Sequence, residues 1–585
     1  MAAASTEASP TILERIGRYV PILTWGRSYN QTLLRTDLIA GLTIAAFAIP
    51  ENMAYASLAG VAPQIGIYAS IAAMVAYTLF GTSRQMAVGV TSALSIMVAG
   101  SLGAMAFDND ADYLAAASFV AVAAGVIAVA AGLFKLGFVV NFISESVLTG
   151  FSAGAALFIA SSQVAKLFGI PGVDGNFFER VSNVIRNIGD TNGWSLGLGL
   201  ACIAALLLLE KFLPRLPAAL LVVIVAIFVQ WQFDLDEHGV DTTGKIPQGL
   251  PVPEVPWVDA SIMPALISLG FGCFLLSYIE GVGTARTFAA RYKYQIDANQ
   301  ELYANGAMNL SSGLFQGYVT GGSMSRSAVN DEAGAKTPAV GLFAAAIMII
   351  VLLFLTGPFQ YLPEPTLAAI VLVAVRGLID IPALQRLYRL SMGEFLAAMA
   401  AMAGVLVFGM LEGIIIGVLF SFLTLLKRAT SPRTTVLGYL PESGAFVAAD
   451  IHPEAETIPG VLVFRPQAGL FYANAPVVKA DLLEALDAET RPISMVLLDL
   501  SATPMIDLGS VESLVETREE LEARNIELRI VSEHRDVGEV IERAGHGDIL
   551  VDATEHETVK AYVDTLVASQ ETSSINHGGR QRDDG

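Results

Sequence analysis

Apolar runs long enough to cross a bilayer start near Leu38, Pro63, Ala115, Glu145, Leu196, Pro217, Met263, Val340, Pro365, Phe395 and Glu412. A helix needs roughly 20 such residues to span the hydrocarbon core. Shorter or glycine-interrupted stretches occur at 86–103, 300–317 and 323–330, so the sequence predicts about 14 membrane segments within residues 38–428. Charge agrees. Only 15% of the 585 residues are charged, where an ordinary soluble protein has about a quarter. Residues 1–37 form a polar to amphipathic N-terminal segment carrying Arg15, Arg18, Arg27 and Arg35, with no pattern of a cleavable signal peptide.

An even number of segments places both termini on one side of the membrane. Basic residues mark cytoplasmic loops. Arg15 to Arg35, Arg291 with Lys293, and Lys427 with Arg428 fall on the side of the termini, and the acidic loops at 107–112 and 233–259 fall on the other. The expectation is a multi-pass protein of the plasma or inner membrane with cytoplasmic ends.

After Lys427 the pattern changes. From Arg433 onward the chain holds 12 basic and 28 acidic residues, a net of −16, which leaves −5 of the total −21 for everything before it. Strand-like runs at 460–464, 494–500 and 526–531 alternate with helical patterns at 475–488, 509–524 and 536–545. That alternation predicts a small α/β domain over 434–569. Residues 570–585 read as a disordered tail.

Lipid cannot hydrogen-bond a bare backbone, so broken helices survive only inside protein or along a cavity. Gly89-Val90-Thr91-Ser92 opens one short segment, and Gly321-Gly322-Ser323-Met324-Ser325-Arg326 opens another in the second half. Such a pair in corresponding halves points to a transporter's binding site and predicts two inverted repeats of about seven segments.

Ionisable residues inside membrane segments are functional candidates by default, and three stand out. Glu51 follows Pro50, Glu280 precedes Gly281 and Gly283, and Arg326 stands beside Ser323, Ser325 and Ser327. A helix N-terminus presents free N–H groups and partial positive charge. Two such ends with Thr91, Ser323, Ser325 and Arg326 nearby would cradle an oxyanion. The competing structural reading makes Arg326 the partner of Glu51 or Glu280 in an ion pair. Only His238 among the histidines precedes residue 430, and Cys202 and Cys273 sit in apolar runs as small hydrophobes. No P-loop, metal-ligand spacing or nucleophile–histidine pair is present, so neither an enzyme nor a cofactor, metal or nucleic-acid binder is expected.

Several spaced blocks resemble the sulfate permease (SulP) anion transporters. They are Pro63-Gln64-Ile65-Gly66-Ile67-Tyr68-Ala69-Ser70 ending in Gly81-Thr82-Ser83-Arg84, Leu34 to Thr43, Ile49 to Ala56, and Gly322 to Asn330. The resemblance implies an all-α polytopic membrane domain of the uracil-permease kind, divided into core and gate. It also implies a cytoplasmic α/β STAS domain and a homodimer. By the same resemblance Ser325 and Arg326 match anion-binding positions, Glu51 and Tyr55 line the pocket, and Thr91 sits in the first turn of a broken helix. Glu280 and Thr284 match coupling positions, while Met324 replaces a threonine that sodium-coupled members use. A thioether is a poor sodium ligand. Leu508 stands where phosphorylation-regulated STAS domains carry serine, which argues against a phospho-switch. The expected function is proton-coupled sulfate uptake by alternating access. Sodium-coupled bicarbonate transport, proton-coupled dicarboxylate transport, an uncoupled channel and a membrane sensor stay open.

Overall fold

The computed structural model describes residues 17–566 apart from 18, 104, 106, 139–143, 174, 214–215 and 552–557. Arg15, Arg18 and the 570–585 tail lie outside the described residues. The chain divides into two compact units, residues 1–422 and 423–585.

The first unit is helical: α1 (Gln31–Leu58), α2 (Pro63–Phe80), α3 (Ser92–Leu102), α4 (Asp110–Leu133), α5 (Glu145–Phe168), α6 (Phe177–Arg186), α7 (Gly193–Phe212), α8 (Ala218–Phe233), α9 (Met263–Tyr292), α10 (Ala298–Leu314), α11 (Met324–Glu332), α12 (Val340–Phe354), α13 (Glu364–Arg376), α14 (Ile381–Leu390), α15 (Met392–Phe408) and α16 (Met410–Thr430). Setting aside the amphipathic α6 and α14, fourteen helices remain among the described residues, one for each apolar or interrupted segment of the sequence. The broken helices α3 and α11 are third in the first and second sets of seven. An odd number of crossings per set turns the second set over relative to the first.

Polar residues between the apolar runs start the helices. Asn30, Asn109, Ser144 and Asn192 each accept a first-turn N–H, which satisfies donors the helix cannot pair internally. Helices α1, α2, α4, α9, α10 and α12 pack as one group, and α5, α7, α8, α13 and α15 as another. In lipid, close packing replaces hydrophobic association, and small residues allow it. The contact of α4 with α10 shows this. A Cβ on Gly125 would lie 2.7 Å from Leu310 Cγ, and one on Gly313 would lie 2.6 Å from the Ser118 carbonyl.

The second unit carries a five-stranded sheet in the order β4-β3-β5-β6-β7, built from β3 (Thr434–Leu440), β4 (Ala445–Ala448), β5 (Val461–Pro466), β6 (Met495–Asp499) and β7 (Glu527–Val531). The last three strands run parallel and β3 and β4 are antiparallel additions. The sequence reading had no strand before residue 460. In β3 and β4 most residues are only half-buried, and their short apolar stretches are interrupted by Gly438 and by the polar turn at 441–444. Helices α17 (Ala475–Ala488), α18 (Leu508–Ala523) and α19 (Arg535–Arg543) complete the unit. Asp507 caps α18, accepting from the Ser510 N–H at 2.9 Å and hydroxyl at 2.7 Å. Partial burial raises its carboxyl, but these bonds and one from Tyr472 N–H outweigh that and hold it below its ordinary value. The buried Ser510 hydroxyl is therefore committed to a carboxylate that would repel a phosphate.

The α4–α10 contact is a test of the fold. Gly306→Leu would drive a side chain into Val129 and the Gly125 carbonyl. Overpacking of this kind costs about 1–3 kcal/mol or more. Thermal unfolding of the detergent-solubilised protein should show a lower midpoint than wild type, and an unchanged midpoint would contradict this packing.

Candidate anion-binding site

The two breaks meet. β1 (Ala87–Gly89) leads into α3 and β2 (Gly321–Ser323) leads into α11, and the two strands pair antiparallel with Val88 opposite Gly322. Pairing them satisfies backbone groups that a broken helix would otherwise leave bare. Glycine is required at both strands. Gly89 has φ +152°, and its missing Cβ would clash with the Arg326 guanidinium. A Cβ on Gly322 would lie 2.9 Å from Gly281 Cα on α9.

Side chains from neighbouring helices hold this crossing in place. The Ser70 hydroxyl accepts the Val90 N–H at 3.2 Å, and Ala87 N–H donates to the Ser327 hydroxyl at 2.9 Å. On the approach to β2, Asn309 accepts the Thr320 N–H at 2.8 Å and Ser277 donates to the Thr320 carbonyl at 2.7 Å. Asn305 in turn donates to Ser277 at 2.6 Å, and Ser312 donates to the Tyr318 carbonyl at 2.6 Å.

Arg326 fills the centre. It is fully buried. Its Nε and Nη2 donate to Glu51 Oε2 at 3.4 and 3.3 Å, Nη2 also to the Val90 carbonyl at 2.9 Å, and Nη1 to the Val88 carbonyl at 3.3 Å. The guanidinium thus ties α1, β1 and α11 together, and its charge is balanced by Glu51. Tyr55, one turn beyond Glu51, is buried within interaction range of Glu51 and Ser92. Thr91 and Ser323 are the N-caps of α3 and α11, accepting from Leu94 N–H at 3.4 Å and Arg326 N–H at 3.3 Å. Ser325 is exposed, with its hydroxyl 3.2 Å from that of Ser323, and Met324 beside it is exposed as well.

The structure therefore brings Glu51, Tyr55, Thr91, Ser323, Ser325 and Arg326 into one cluster. Glu280 and Thr284 stand one turn apart on α9, where Gly281 approaches Gly322. Arg326 pairs with Glu51, and Glu280 makes no hydrogen bond or ion pair with the described residues. Sequence reasoning missed Glu301 on α10. This buried carboxylate accepts the Thr82 N–H at 2.8 Å and hydroxyl at 2.5 Å, and the Tyr77 hydroxyl at 3.1 Å. A glutamate in a helix's first turn reads as an ordinary capping residue, which concealed it. The Asn305, Asn309, Ser312 row was also missed, although its i, i+4, i+7 spacing along α10 is a readable polar face.

Twelve apolar helices among the described residues, eight of them long enough to cross a membrane, with two broken ends joined at a buried ion pair, define a multi-pass membrane transport protein. A family model described as the sulfate permease family matches residues 34–401, and one described as the STAS domain matches residues 452–561. The chain belongs to the sulfate permease family. It is 34% identical over 527 residues to a probable sulfate transporter of Mycobacterium tuberculosis (strain CDC 1551 / Oshkosh), covering 90% of this chain and 94% of the relative. It is 33% identical over 582 residues to sulfate transporter 1.1 of Arabidopsis thaliana, covering 94% and 89%. Its fold resembles the murine Solute Carrier 26 family member A9 anion transporter, solved in the inward-facing state. That match has a TM-score of 0.87 and 22% identity, and it covers 97% and 96% of the two chains.

Removing one partner of a buried pair leaves the other charge uncompensated and costs about 3–5 kcal/mol. Glu51→Ala and Arg326→Ala should each destabilise the protein, and the double variant should lose much less than the sum. Thermal unfolding of the four proteins in detergent measures this coupling. Strictly additive losses would mean that the two side chains do not stabilise one another.

Proposed function

We propose that the chain is a secondary active transporter that carries sulfate together with a proton by alternating access, with both termini cytoplasmic. Relatives that share a third of its residues over nearly the whole chain are named sulfate transporters. The observation that carries the reading is the Arg326–Glu51 pair at the joined ends of α3 and α11.

Magnitudes explain why the pair suits coupled transport. A helix N-terminus stabilises an anion by about 0.3–1 kcal/mol, up to ~2 kcal/mol when partly buried. Two of them are too little for a divalent anion leaving water. A unit charge about 4 Å away adds on the order of 4 kcal/mol at an effective dielectric of 20. Arg326 can supply that charge only when Glu51 no longer cancels it. Protonation of Glu51 does this: the carboxyl becomes neutral, the guanidinium turns its charge to the anion, and Ser325, already exposed, offers a hydroxyl. Anion and proton then favour each other's binding at adjacent positions, and reciprocity follows from linkage. Glu280, with no described partner, is the second carboxylate able to carry the proton.

The test is radiolabelled sulfate uptake into proteoliposomes, with proton and sodium gradients imposed separately and bicarbonate and succinate as competitors. An inward proton gradient should accelerate uptake and a sodium gradient should not. Arg326→Ala should lose sulfate binding. Glu51→Gln, permanently neutral there, should keep binding but lose the acceleration by acid. If Glu51→Gln still responds and Glu280→Gln does not, the proton travels on Glu280. If neither gradient accelerates wild type, the coupled mechanism fails.

A further inference from the structure

Helix α14 joins the twelfth crossing to the thirteenth, and contacts beside it fix the face on which it lies. Arg376 at the end of α13 pairs with Glu210 at the end of α7 at 3.2 Å. Ser146 at the start of α5 donates to Glu394 at the start of α15 at 2.9 Å. The sixth and twelfth crossings end, and the fifth and thirteenth begin, on the face from which α1 starts. Helix α14 therefore lies at that membrane surface.

None of its ten residues is buried. Ala383, Leu384 and Leu387 are half-buried where α14 packs on α5 and α15. On one flank of that packed arc Ile381 and Tyr388 are 56% and 59% exposed, and on the other Leu390 is 74% exposed. At 3.6 residues per turn the opposite arc, about 100° wide, holds Gln385, Arg386 and Arg389, all exposed. Neither of these arginines has a hydrogen bond or ion pair among the described residues.

We propose that α14 is a lipid-reading helix, lying in the interface of that leaflet with Arg386 and Arg389 on the phosphates of anionic phospholipids.

An amphipathic helix with a basic polar arc lies in the interface plane with its apolar side among the acyl chains. Tyr388 stands where aromatic belts form, its ring edge-on to Phe395 of α15 at 5.2 Å. Continuity decides the occupant. Met392 and Leu396, just beyond α14, are half exposed on a spanning helix, so the apolar flank of α14 runs on into a lipid-facing surface. A soluble protein seated on the arginines would leave that flank uncovered. A phospholipid covers both, with acyl chain on Ile381 and Tyr388 and phosphate on the guanidiniums, whose planar fork matches phosphate oxygens.

The consequence for transport rests on reading the chain as a transporter in which one helix group moves against the other. Helix α14 packs on α5 and α15, both in the second group. Alternating access needs that group to keep its level in the bilayer while the group holding Arg326 moves past it. A leaflet that grips α14 supplies the fixed level. Each arginine beside an anionic surface gives about a fivefold preference.

The first readout needs no transport. Ile381→Cys in the full-length protein carries a bimane label, and the native Cys202 and Cys273 are both buried. The reconstituted protein meets phosphatidylglycerol or phosphatidylcholine bearing a spin label near the headgroup. Both lipids should quench the label while aqueous iodide does not, and phosphatidylglycerol should do so at about a fivefold lower membrane fraction. Arg386→Gln with Arg389→Gln should erase that difference, and Arg386→Lys with Arg389→Lys should keep it. Equal quenching by the two lipids without these substitutions would overturn the proposal. A label shielded from lipid and iodide alike would overturn it too, because protein would then cover α14. The second readout is sulfate uptake, which should rise about 3–10-fold from phosphatidylcholine vesicles to vesicles with about a third phosphatidylglycerol. The double Gln variant should match wild type in phosphatidylcholine and lose the rise. A lipid preference with no effect on uptake would overturn the link to transport. If wild type moves no sulfate yet quenching depends on the arginines, the transport reading fails and the lipid site stands. If wild type transports sulfate and the lipid preference is absent, the lipid site fails alone.

Discussion

The transport unit is organised around one guanidinium with no access to water. Arg326 reaches α1 through Glu51 and the first broken segment through the Val88 and Val90 carbonyls, from its own place in the second broken segment. Buried charges are tolerated only when paired and hydrogen-bonded, so the pair dictates much around it. Gly89 must lack a side chain to admit the guanidinium. Pro50 precedes Glu51 inside α1, and its missing N–H loosens the helix ladder where the carboxylate projects. The two strands must be in register for Val88 and Val90 to face one cation.

The polar side chains of α10 and α9 follow from the same constraint at one remove. Breaking two helices in an apolar unit exposes backbone groups that lipid cannot satisfy. Asn309 and Ser277 meet both polar groups of Thr320, Ser312 meets Tyr318, and Ser118 meets the Gly317 carbonyl at 2.7 Å. Each bond adds modestly to stability, but leaving its partner unpaired would cost about 1–3 kcal/mol. The glycine contacts of α4 with α10 keep those side chains within reach.

Much of this was legible in the sequence because lipid imposes one strong rule. Spanning helices need long apolar runs, so their number and order could be read, including the short pair at Ser92 and Met324. Glu51 and Glu280 stood out against apolar neighbours for the same reason, and Arg326 as a cation among serines at the opening of the second broken segment. What could not be read was pairing. Glu51 and Glu280 were equivalent partners for Arg326 on paper, and only the folded arrangement, which sets Arg326 against α1, selects Glu51. Thr91 and Ser323 were legible as hydroxyls near an N-terminus, but their side chains turn back to cap α3 and α11. Glu301 was hidden because its partners, Tyr77 and Thr82, lie more than 200 positions away. In the soluble unit, β3 and β4 escaped because their apolar stretches are short and interrupted by Gly438 and the turn at 441–444, unlike the continuous runs of the parallel core strands.

The repeat explains what the site has, and its asymmetry explains what the site could do. Helices α3 and α11 occupy equivalent places, and each begins with a hydroxyl cap, so both present a weak positive pole. Only α11 adds an arginine, and only α1 adds the carboxylate that cancels it. Symmetric poles alone would form a static, weak anion site open to either face. A single cancellable charge makes affinity conditional. In the proposed cycle the site is nearly neutral when empty and deprotonated, which lets the joined ends move through an apolar surround without a desolvated charge. It becomes attractive to an anion only as the proton arrives. Two like ends without the pair could bind an anion, but nothing in them would link that binding to a proton.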